Sequence, residues 1–493
     1  MMVHKSTNGK INHKEENERM IRLDDAVDEP MDDDDEKDTL SSNHHHSLPE
    51  HHIPFSAAEQ EDHKPWHFII STKKYIHTTL TAVLALSLVL VLGIGQSSSS
   101  SRASSSAAAT VADSTTTATG KIPWAPLPDF SQPISRVAFG SCMKEDMPMP
   151  FWDTLLEFHP DVTILGGDQV YTQEQDACSG QGNCTLLKQA YDQLNNHPSF
   201  QGAKQRLPML GMLDDHDYGL NDCYADNPYK DIAKDLYFDF MDIPQDDERR
   251  FRDNEGLYTS YEWGSGDQIL QLILLDTRYS RSEFLYDDEK WAYTPYGHDQ
   301  DHGKQFLSPA QWEWFEQVLQ RPANVRLILS TQQVLTQGEW GFEHWSLIPR
   351  ELRKLVRLLK KYCKHVKNPS LPVLLSGDRH IGALYNDPAL WDELYEVTAS
   401  SWTHTIPDGW DPDGVKCSTY PNPAVDCIEQ DPTRIGDWVG VNHFGMVDVD
   451  WQDRTVHLTL VRAETSHAYY VKQKWQYNTD AGQVLKSLSL DIP

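Results

Sequence analysis

Short apolar runs that end in polar clusters recur along the chain from about Ile134 onward. Helical stretches lie between several of these runs, and alternation of strands with helices is typical of sheets covered by helices. We therefore predict a layered α/β domain over residues 133–493. The runs are RVAFG (136–140), VTILG (162–166), PMLGML (208–213), ILQLILL (269–275), RLILS (326–330) and PVLLS (372–376).

Two helices and a hairpin can be predicted in more detail. Ser308 and Pro309 begin one helix with a capping residue and a proline in the first turn. The second helix covers residues 348–363, with leucines on one side and Lys/Arg on the other. Near the C terminus, HFGMVDVDW and TVHLTLV are separated by the polar residues 452–454, which predicts a β-hairpin.

The first quarter of the chain has a different pattern. Residues 1–74 are acidic and rich in histidine, with few apolar clusters, which predicts a disordered cytosolic tail. Residues 75–96 include an uncharged apolar stretch preceded by Lys73 and Lys74, which predicts a transmembrane signal anchor. Residues 97–132, rich in Ser and Thr, would form a stalk or linker. This topology places the α/β domain in a lumen or outside the cell.

Composition narrows the classes of function. The 493 residues include 43 Lys and Arg against 74 Asp and Glu, a formal net charge of −31. Such an acidic chain is not expected to bind nucleic acids specifically, because it lacks the basic surface that replaces counterions. A phosphate substrate stays possible where metal ions or a few arginines supply positive charge.

The seven cysteines all follow the predicted membrane segment, in what would be an oxidising compartment. Cys178 and Cys184 bracket a short loop, and Cys417 and Cys427 bracket a Pro-rich turn, so each pair is expected to form a local disulfide. In that compartment the sequon at Asn183 would accept a glycan.

The residues that could carry chemistry follow the strand-like runs. Ligands of open α/β sheets bind beyond the carboxyl ends of the strands, so these tips are expected to converge. So many carboxylates at one place would repel each other by several kcal/mol without cations, which predicts a polynuclear metal centre. The tips carry Cys142, Asp168, Tyr171, Asp214, Asp215, His216, Asp217, Arg278, Asp378, Arg379 and His380.

These segments resemble the alkaline phosphatase D (PhoD-like) family of metallophosphatases. The resemblance implies a calcineurin-like αββα sandwich that hydrolyses phosphate esters with iron and calcium ions. It rests on FGSC (139–142), GDQVY (167–171), DDHDYGLND (214–222), LLDTRY (274–279), SGDRH (376–380), TASSWTH (398–404) and HFGMVDVDW (443–451).

The resemblance also implies metal ligands. Asp168 would bridge two metals, and Tyr171 and Cys142 would bind ferric iron, accompanied by one or two calcium ions. The full set of ligands would be Cys142, Asp168, Tyr171, Asp215, Asp378 and His380. Other interpretations stay open: Cys142 as a buried free thiol, and Tyr171 as a packed aromatic residue.

Two residues are candidates for catalysis. His216 could protonate the leaving oxygen or stabilise the transition state, with either Asp214 or Asp217 orienting its ring. Arg379 could hold phosphate oxygens through its fork of donors. Arg278 and Asn221 are weaker candidates for substrate binding, since a salt bridge and a turn explain them equally well.

These observations predict a membrane-anchored, metal-dependent hydrolase of phosphate mono- or diesters. Its partners would be a small phosphate ester and the membrane. The alternative is a catalytically silent surface protein that keeps the fold for binding. The joint presence of thiol, carboxylate, phenol and imidazole ligands argues against this alternative.

Overall fold

Each of the six apolar runs forms a strand in the computed structural model. The structure describes residues 122–172, 178, 183–252, 254–287, 292–297, 300–337, 342–365, 367–405, 431–463 and 481–493. The predicted tail, the anchor segment, most of the predicted linker and the pair Cys417 and Cys427 lie outside the described residues.

The described part contains strands and helices in alternation over most of its length. The strands are β1 (Arg136–Gly140), β2 (Val162–Gly166), β3 (Met209–Met212), β4 (Thr259–Trp263), β5 (Leu270–Leu275), β6 (Leu285–Asp287), β7 (Ala292–Thr294), β8 (Val325–Ser330), β9 (Leu371–Ser376), β10 (Gly382–Asn386), β11 (Tyr395–Ala399), β12 (His443–Asp450), β13 (Thr455–Arg462) and β14 (Val484–Asp491). The helices are α1 (Phe151–Glu157), α2 (Thr185–Asn196), α3 (Pro198–Lys204), α4 (Lys230–Phe240), α5 (Pro309–Leu319), α6 (Pro349–Cys363) and α7 (Pro388–Trp391), with 3₁₀ turns at Glu248–Phe251 and Trp345–Leu347.

Two six-stranded mixed sheets form the centre of the fold. The first has the order β14-β13-β12-β1-β2-β3, in which β1, β2 and β3 are parallel and the C-terminal strands are antiparallel. The second has the order β10-β11-β9-β8-β5-β4, with β5, β8, β9 and β11 parallel. The predicted C-terminal hairpin is confirmed as the pair β12 and β13.

The second sheet is apolar on both faces, and each face belongs to a different core. In β5, Leu272 and Leu274 join the core that also contains residues of the first sheet and of α1 to α4. The intervening Ile273 and Leu275 join the core formed with α5, α6 and α7. Since successive side chains of a strand point to opposite faces, the sheet lies between two layers. The prediction of a layered α/β domain is confirmed.

Both predicted helices form where their sequence signals lie. The Ser308 hydroxyl accepts a hydrogen bond from the Gln311 backbone N–H at 3.0 Å, which caps α5, and Pro309 occupies its first turn. Helix α6 buries Leu352, Leu355 and other apolar residues on one face, as the amphipathic pattern indicates. Together the two helices cover the outer face of the second sheet.

The folded part begins earlier than the predicted boundary at residue 133. Trp124 packs edge-on against Phe200 and Phe240, with ring centroids 5.8 and 5.9 Å apart. The end of the predicted linker therefore contributes to the core beside α3 and α4. Three distant aromatic rings make this contact, which local sequence does not reveal.

The predicted membrane topology is corrected by the structure. Within the described ranges no helix has the length and apolar character that a membrane span requires. A span needs about 20 apolar residues, whereas α6, with 15 residues, carries Lys and Arg along one side. This finding overturns the prediction of a single-pass membrane protein with a cytosolic N terminus and a luminal or extracellular catalytic domain.

The predicted disulfide between Cys178 and Cys184 is confirmed. Cys142, Cys223 and Cys363 are free and buried. Asn183 is exposed, and its side-chain oxygen accepts a hydrogen bond from the Thr185 hydroxyl at 2.7 Å. Its predicted glycosylation stays a prediction.

Candidate metal centre

The carboxyl ends of the parallel strands of both sheets meet at one place, as the sequence predicts. Four groups of side chains there bring possible ligand atoms within 4.8 Å of one another. Asp168 belongs to three of these groups and Asp215 to three. The groups are Cys142–Asp168–His380, Asp168–Asp215–His216, Asp168–Asp214–Asp215–Asp378 and Asp215–Asp222–Glu343.

One side of the centre combines a thiol, a phenol, an imidazole and a carboxylate. The Tyr171 hydroxyl donates to Asp168 Oδ2 at 2.8 Å and lies 2.9 Å from His380 Nε2. Cys142 Sγ lies 3.7 Å from the same carboxylate oxygen and 3.0 Å from the Ser400 hydroxyl. All the side chains that were predicted to bind iron are thus neighbours.

The other side consists of carboxylates. Asp215 receives hydrogen bonds from the backbone N–H groups of His216, at 2.9 Å, and Asp222, at 2.7 Å. Asp378 approaches from the second sheet, and Asp168 lies between the two sides. This arrangement could hold cations that prefer oxygen ligands.

Arg278 is a buried cation within this carboxylate cluster rather than a residue of the cavity wall. Its guanidinium donates to Asp214 through Nε at 2.5 Å and Nη2 at 3.2 Å, and it pairs closely with Glu343. Nη2 also lies 3.4 Å from Asp378 and 3.8 Å from Asp215. The structure therefore favours the salt-bridge interpretation of Arg278 over substrate binding.

Neither carboxylate proposed to orient the His216 ring is placed for that purpose. Asp217 is fully buried and accepts from the Tyr191 hydroxyl at 3.0 Å and from the Asp214 backbone N–H at 3.1 Å. Asp214 accepts hydrogen bonds from the Arg278 guanidinium. Both carboxylates therefore support the loop that carries His216 instead of contacting its imidazole.

His216 lies at the boundary between the two sides. Its ring packs on Tyr171, with centroids 4.1 Å apart, and its backbone N–H lies within hydrogen-bond distance of Asp168 Oδ1. Burial lowers the pKa of His216, and the Arg278 guanidinium adds to this effect against the opposing charge of Asp215. Asp215 is thus the neighbour that favours the protonated imidazole, the form that can donate a proton.

A cavity of about 260 Å³ opens beside these groups. Arg379 lines it, with its guanidinium carbon 3.7 Å from the centre of the Phe342 ring. Asn221 also lines it, so the turn residue of the sequence analysis does face the cavity. The lining consists of Asp168, Asp215, His216, Asn221, Asp222, Tyr293, Phe342, Glu343, Asp378, Arg379 and His380.

Several lining residues were not found from the sequence. Glu343 lies in a loop between β8 and α6, away from a strand end, so no signal marks it. Asp222 ends the DDHDYGLND segment, which offered a hint that the prediction did not use. Tyr293 lies on β7, and its hydroxyl donates to Asp222 Oδ2 at 3.1 Å. Only the folded chain brings these residues to the cavity.

The backbone is strained at the residues that approach the centre. Cys142, Asp168, Asp222, Asp378 and His380 all have positive φ values, between 52° and 68°. Non-glycine residues rarely adopt this region, and such strain is concentrated at functional sites. Four of these five residues line the cavity and Cys142 contacts Asp168, which supports a functional role for this region.

Burial and neighbouring charges shift the pKa values of the acidic cluster. Burial raises the pKa of Asp168 well above its usual range, and the neighbouring charges of Asp215 and Cys142 raise it further. Burial also raises the pKa of the Cys142 thiol to about 12. Burial alone would raise the pKa of Asp215, but the charges of Arg278 and His216 lower it overall. Bound cations would favour the charged forms of all these ligands.

A comparison with protein families gives one match, which covers most of the described domain. The model of the PhoD-like phosphatases matches residues 137–460. The chain belongs to the PhoD-like phosphatase family. It is therefore a phosphoric ester hydrolase, as the sequence resemblance implies, and members of this family depend on metal ions.

One solved structure supports this fold. A structure described as "Structure of PhoD" superposes with a TM-score of 0.54 at 16% identity, covering 75% of this chain and 72% of that chain. The protein TT1561 of Thermus thermophilus gives a TM-score of 0.27 at 10% identity, covering 55% of this chain and 90% of that chain. This score is too low to indicate a shared fold. No curated protein matches the chain.

The donor set of this PhoD-like phosphatase fits the ions that the resemblance implies. A thiol, a phenol and an imidazole around one carboxylate suit iron, whereas the carboxylates beyond Asp168 suit calcium. The clustered buried carboxylates supply the negative charge that such cations neutralise. The residues present are thus compatible with a mixed metal centre.

Proposed function

We propose that this chain hydrolyses phosphate mono- or diesters at a centre of ferric iron with one or two calcium ions. The ligands would be Cys142, Asp168, Tyr171, Asp215, Asp378 and His380. The observation that carries the proposal is the position of Asp168. Its carboxylate oxygens lie within 4.8 Å of ligand atoms of Cys142 and His380 on one side and of Asp215 and Asp378 on the other. When bound, such ions supply Lewis acidity and make hydroxide available near neutral pH.

The side chains around the cavity have separate tasks in this proposal. Arg379 donates hydrogen bonds to phosphate oxygens, which orients the ester in the cavity. The Phe342 ring supports the guanidinium from one face. His216, held next to Asp168 and Asp215, delivers a proton to the leaving oxygen.

A comparison of two variants tests these roles. Asp168→Ala should lose bound metal as well as activity, because a shared ligand holds the ions together. His216→Ala should keep its metal and lose turnover by roughly 10²–10⁴-fold if His216 is the general acid. Metal content and phosphate release, measured on the same preparations, separate the two outcomes.

The leaving group sharpens the test of His216. A nitrophenyl ester, which expels an acidic phenol, should show a small defect in His216→Ala, whereas an alkyl ester should show the full defect. Equal losses on both esters would rule out a general acid. Loss of metal in His216→Ala would instead make His216 a ligand, which its proximity to Asp168 and Asp215 allows.

A further inference from the structure

The cavity wall contains aromatic residues that are not candidate metal ligands. Tyr293 and Phe342 line it together with the charged residues. Metal ligands and an arginine account for recognition of a phosphate, but they do not account for aromatic rings. Small-molecule sites commonly pair a few polar anchors with apolar walls that bind the rest of the ligand.

Phe342 places part of this wall next to the phosphate-binding candidate. The Arg379 guanidinium carbon lies 3.7 Å from the Phe342 ring centroid, a cation–π contact. A phosphate held by Arg379 would therefore have its organic group close to an aromatic surface.

Tyr286 extends the aromatic surface of Tyr293 from the cavity towards solvent. The two residues are opposite each other in the β6–β7 hairpin, with ring centroids 5.4 Å apart at an interplanar angle of 75°. The hydroxyl of Tyr293 donates to Asp222, which fixes that ring at the cavity. Tyr286 is 48% exposed. We call Tyr286 and Tyr293 the tyrosine pair.

Burial in the core does not explain Tyr286. A ring that is half exposed contributes little to folding, whereas a tyrosine at a binding surface offers a rigid apolar face at a small cost in entropy. Its neighbour Tyr293 connects it directly to the cavity. The tyrosine pair thus extends from the lining of the cavity to solvent.

We propose that the tyrosine pair binds an aromatic ring in the organic group of the phosphoester substrate. The enzyme then favours esters of ring-bearing alcohols over esters of small aliphatic alcohols. This inference rests on the proposed function, because it assigns the organic half of a substrate whose phosphate lies at the metal centre.

Two monoesters with leaving groups of similar basicity, benzyl phosphate and ethyl phosphate, test the proposal. The metal-loaded wild-type enzyme should have the higher kcat/KM for benzyl phosphate. Tyr286→Ser should reduce kcat/KM for benzyl phosphate by roughly 2–10-fold more than for ethyl phosphate, the range of one aromatic contact. Phe251→Ser is the matched control, since Phe251 is an exposed aromatic residue, 68% accessible, that does not line the cavity.

A second pair of substrates identifies the source of the ring. Adenosine 5′-monophosphate and ribose 5-phosphate share the same ester and differ in the base. A preference for the nucleotide that Tyr286→Ser removes would assign the ring to a nucleobase. If only the benzyl preference responds to the substitution, the ring lies close to phosphorus, as in an aryl or benzyl ester.

The outcomes distinguish this proposal from the proposed function. If the metal-loaded enzyme hydrolysed neither these monoesters nor the diesters benzyl methyl phosphate and ethyl methyl phosphate, the proposed function itself would be contradicted. If it hydrolysed only the diesters, they would replace the monoesters in the same comparison. Efficient hydrolysis without an aromatic preference in either substrate pair would overturn the role of the tyrosine pair. An equal loss in Tyr286→Ser and Phe251→Ser would overturn it as well, because the effect would not be specific to the hairpin.

Discussion

At the scale of single residues, the contacts of Arg278 distinguish the candidate metal ligands from the carboxylates that pair with it. Its side chain is fully buried and contacts Asp214 and Glu343, with Asp378 and Asp215 slightly farther away. Asp214 accepts from Arg278 and from the Thr331 hydroxyl, at 2.7 Å, so its oxygens are occupied. In the group Asp168–Asp214–Asp215–Asp378, three carboxylates are thus candidate ligands, and Asp214 is the salt-bridge partner of Arg278.

We expect Arg278→Met to lower the free energy of unfolding by roughly 3–5 kcal/mol in metal-free buffer, because Asp214 would be left buried and unpaired. Added Ca²⁺ should restore part of this loss, since a cation can replace the lost positive charge. Urea unfolding with and without Ca²⁺ measures both effects.

Arg281→Met is the matched control for that experiment. Arg281 is equally buried and also pairs with Glu343, but its other bonds go to the Asp222 and Cys223 carbonyl groups, at 3.1 and 3.0 Å. Its variant should gain less from Ca²⁺ than Arg278→Met. Equal recovery of the two variants would contradict the counterion role of Arg278.

Tyr171 allows a spectroscopic prediction. Burial, with the charge of Asp168, raises the pKa of Tyr171 well above its usual range, so its phenol is protonated unless a metal binds. Ferric iron bound to the phenolate should give a visible charge-transfer band, and Tyr171→Phe should abolish it.

Tyr191→Phe is the control for this prediction, because Tyr191 is also buried and donates to a carboxylate, that of Asp217, at 3.0 Å. This variant should keep the band. Colourless wild-type protein with full activity would contradict the assignment of iron, although not the hydrolase activity.

At the scale of elements, β11 contributes to the site although no strand was predicted there. The loop that follows it carries Ser400, whose hydroxyl lies 3.0 Å from Cys142 Sγ and accepts from the His380 backbone N–H at 2.9 Å. Inside β11, Glu396 accepts from the backbone N–H groups of Val334 and Leu335. The strand thus fixes the loop after β8 and supports the thiol.

Glu396 makes stability dependent on pH. Burial raises its pKa from 4.5 to about 7, although hydrogen bonds from Ser376 and Leu335 oppose the shift. Since the folded state holds this proton more tightly than the unfolded state, the stabilising contribution is complete below about pH 4.5 and is lost as the pH rises through 7. The contribution amounts to roughly 1–3 kcal/mol.

Glu396→Gln removes this titration. The free energy of unfolding of the wild type minus that of the variant should therefore fall from pH 5 to pH 8. Urea denaturation at each pH measures this difference. A constant difference for Glu396→Gln would contradict a raised pKa.

At the scale of the whole molecule, the candidate metal centre draws its residues from both sheets. Cys142, Asp168 and Asp215 follow strands of the first sheet, whereas Asp378 and His380 follow β9 of the second. Bound cations would therefore hold the carboxyl ends of both sheets together. Ions that bind only the folded state stabilise it by about 2.7 kcal/mol at 100 times their Kd.

Removal of metal by a chelator should thus lower the melting temperature by several degrees, measured by calorimetry. The reason is both the lost binding energy and the repulsion among the buried carboxylates. Asp168→Ala, which is expected to lose its metal, should respond little to the same chelator. A wild-type melting temperature that the chelator leaves unchanged would contradict a role of the ions in joining the sheets.

The sequence by itself determined eight of the fourteen described strands and the positions of most candidate ligands. Apolar runs specify buried strands because each contains its own hydrophobic pattern, and parallel strands place their carboxyl ends together. Cys142, Asp168, Asp215 and Asp378 directly follow or lie near such ends, so local pattern was sufficient to predict their convergence. The motifs around them also indicated the family that the comparison confirms.

Only the tertiary structure decided which charged groups face one another. Glu343 and Tyr293 reach the cavity from a loop and a short hairpin strand, neither of which has a local signal for this position. Arg278 could have bound a phosphate, but its distance from Asp214 assigns it to a salt bridge. Partner choice depends on distances between residues far apart in the chain, and those distances exist only once the two sheets have packed together.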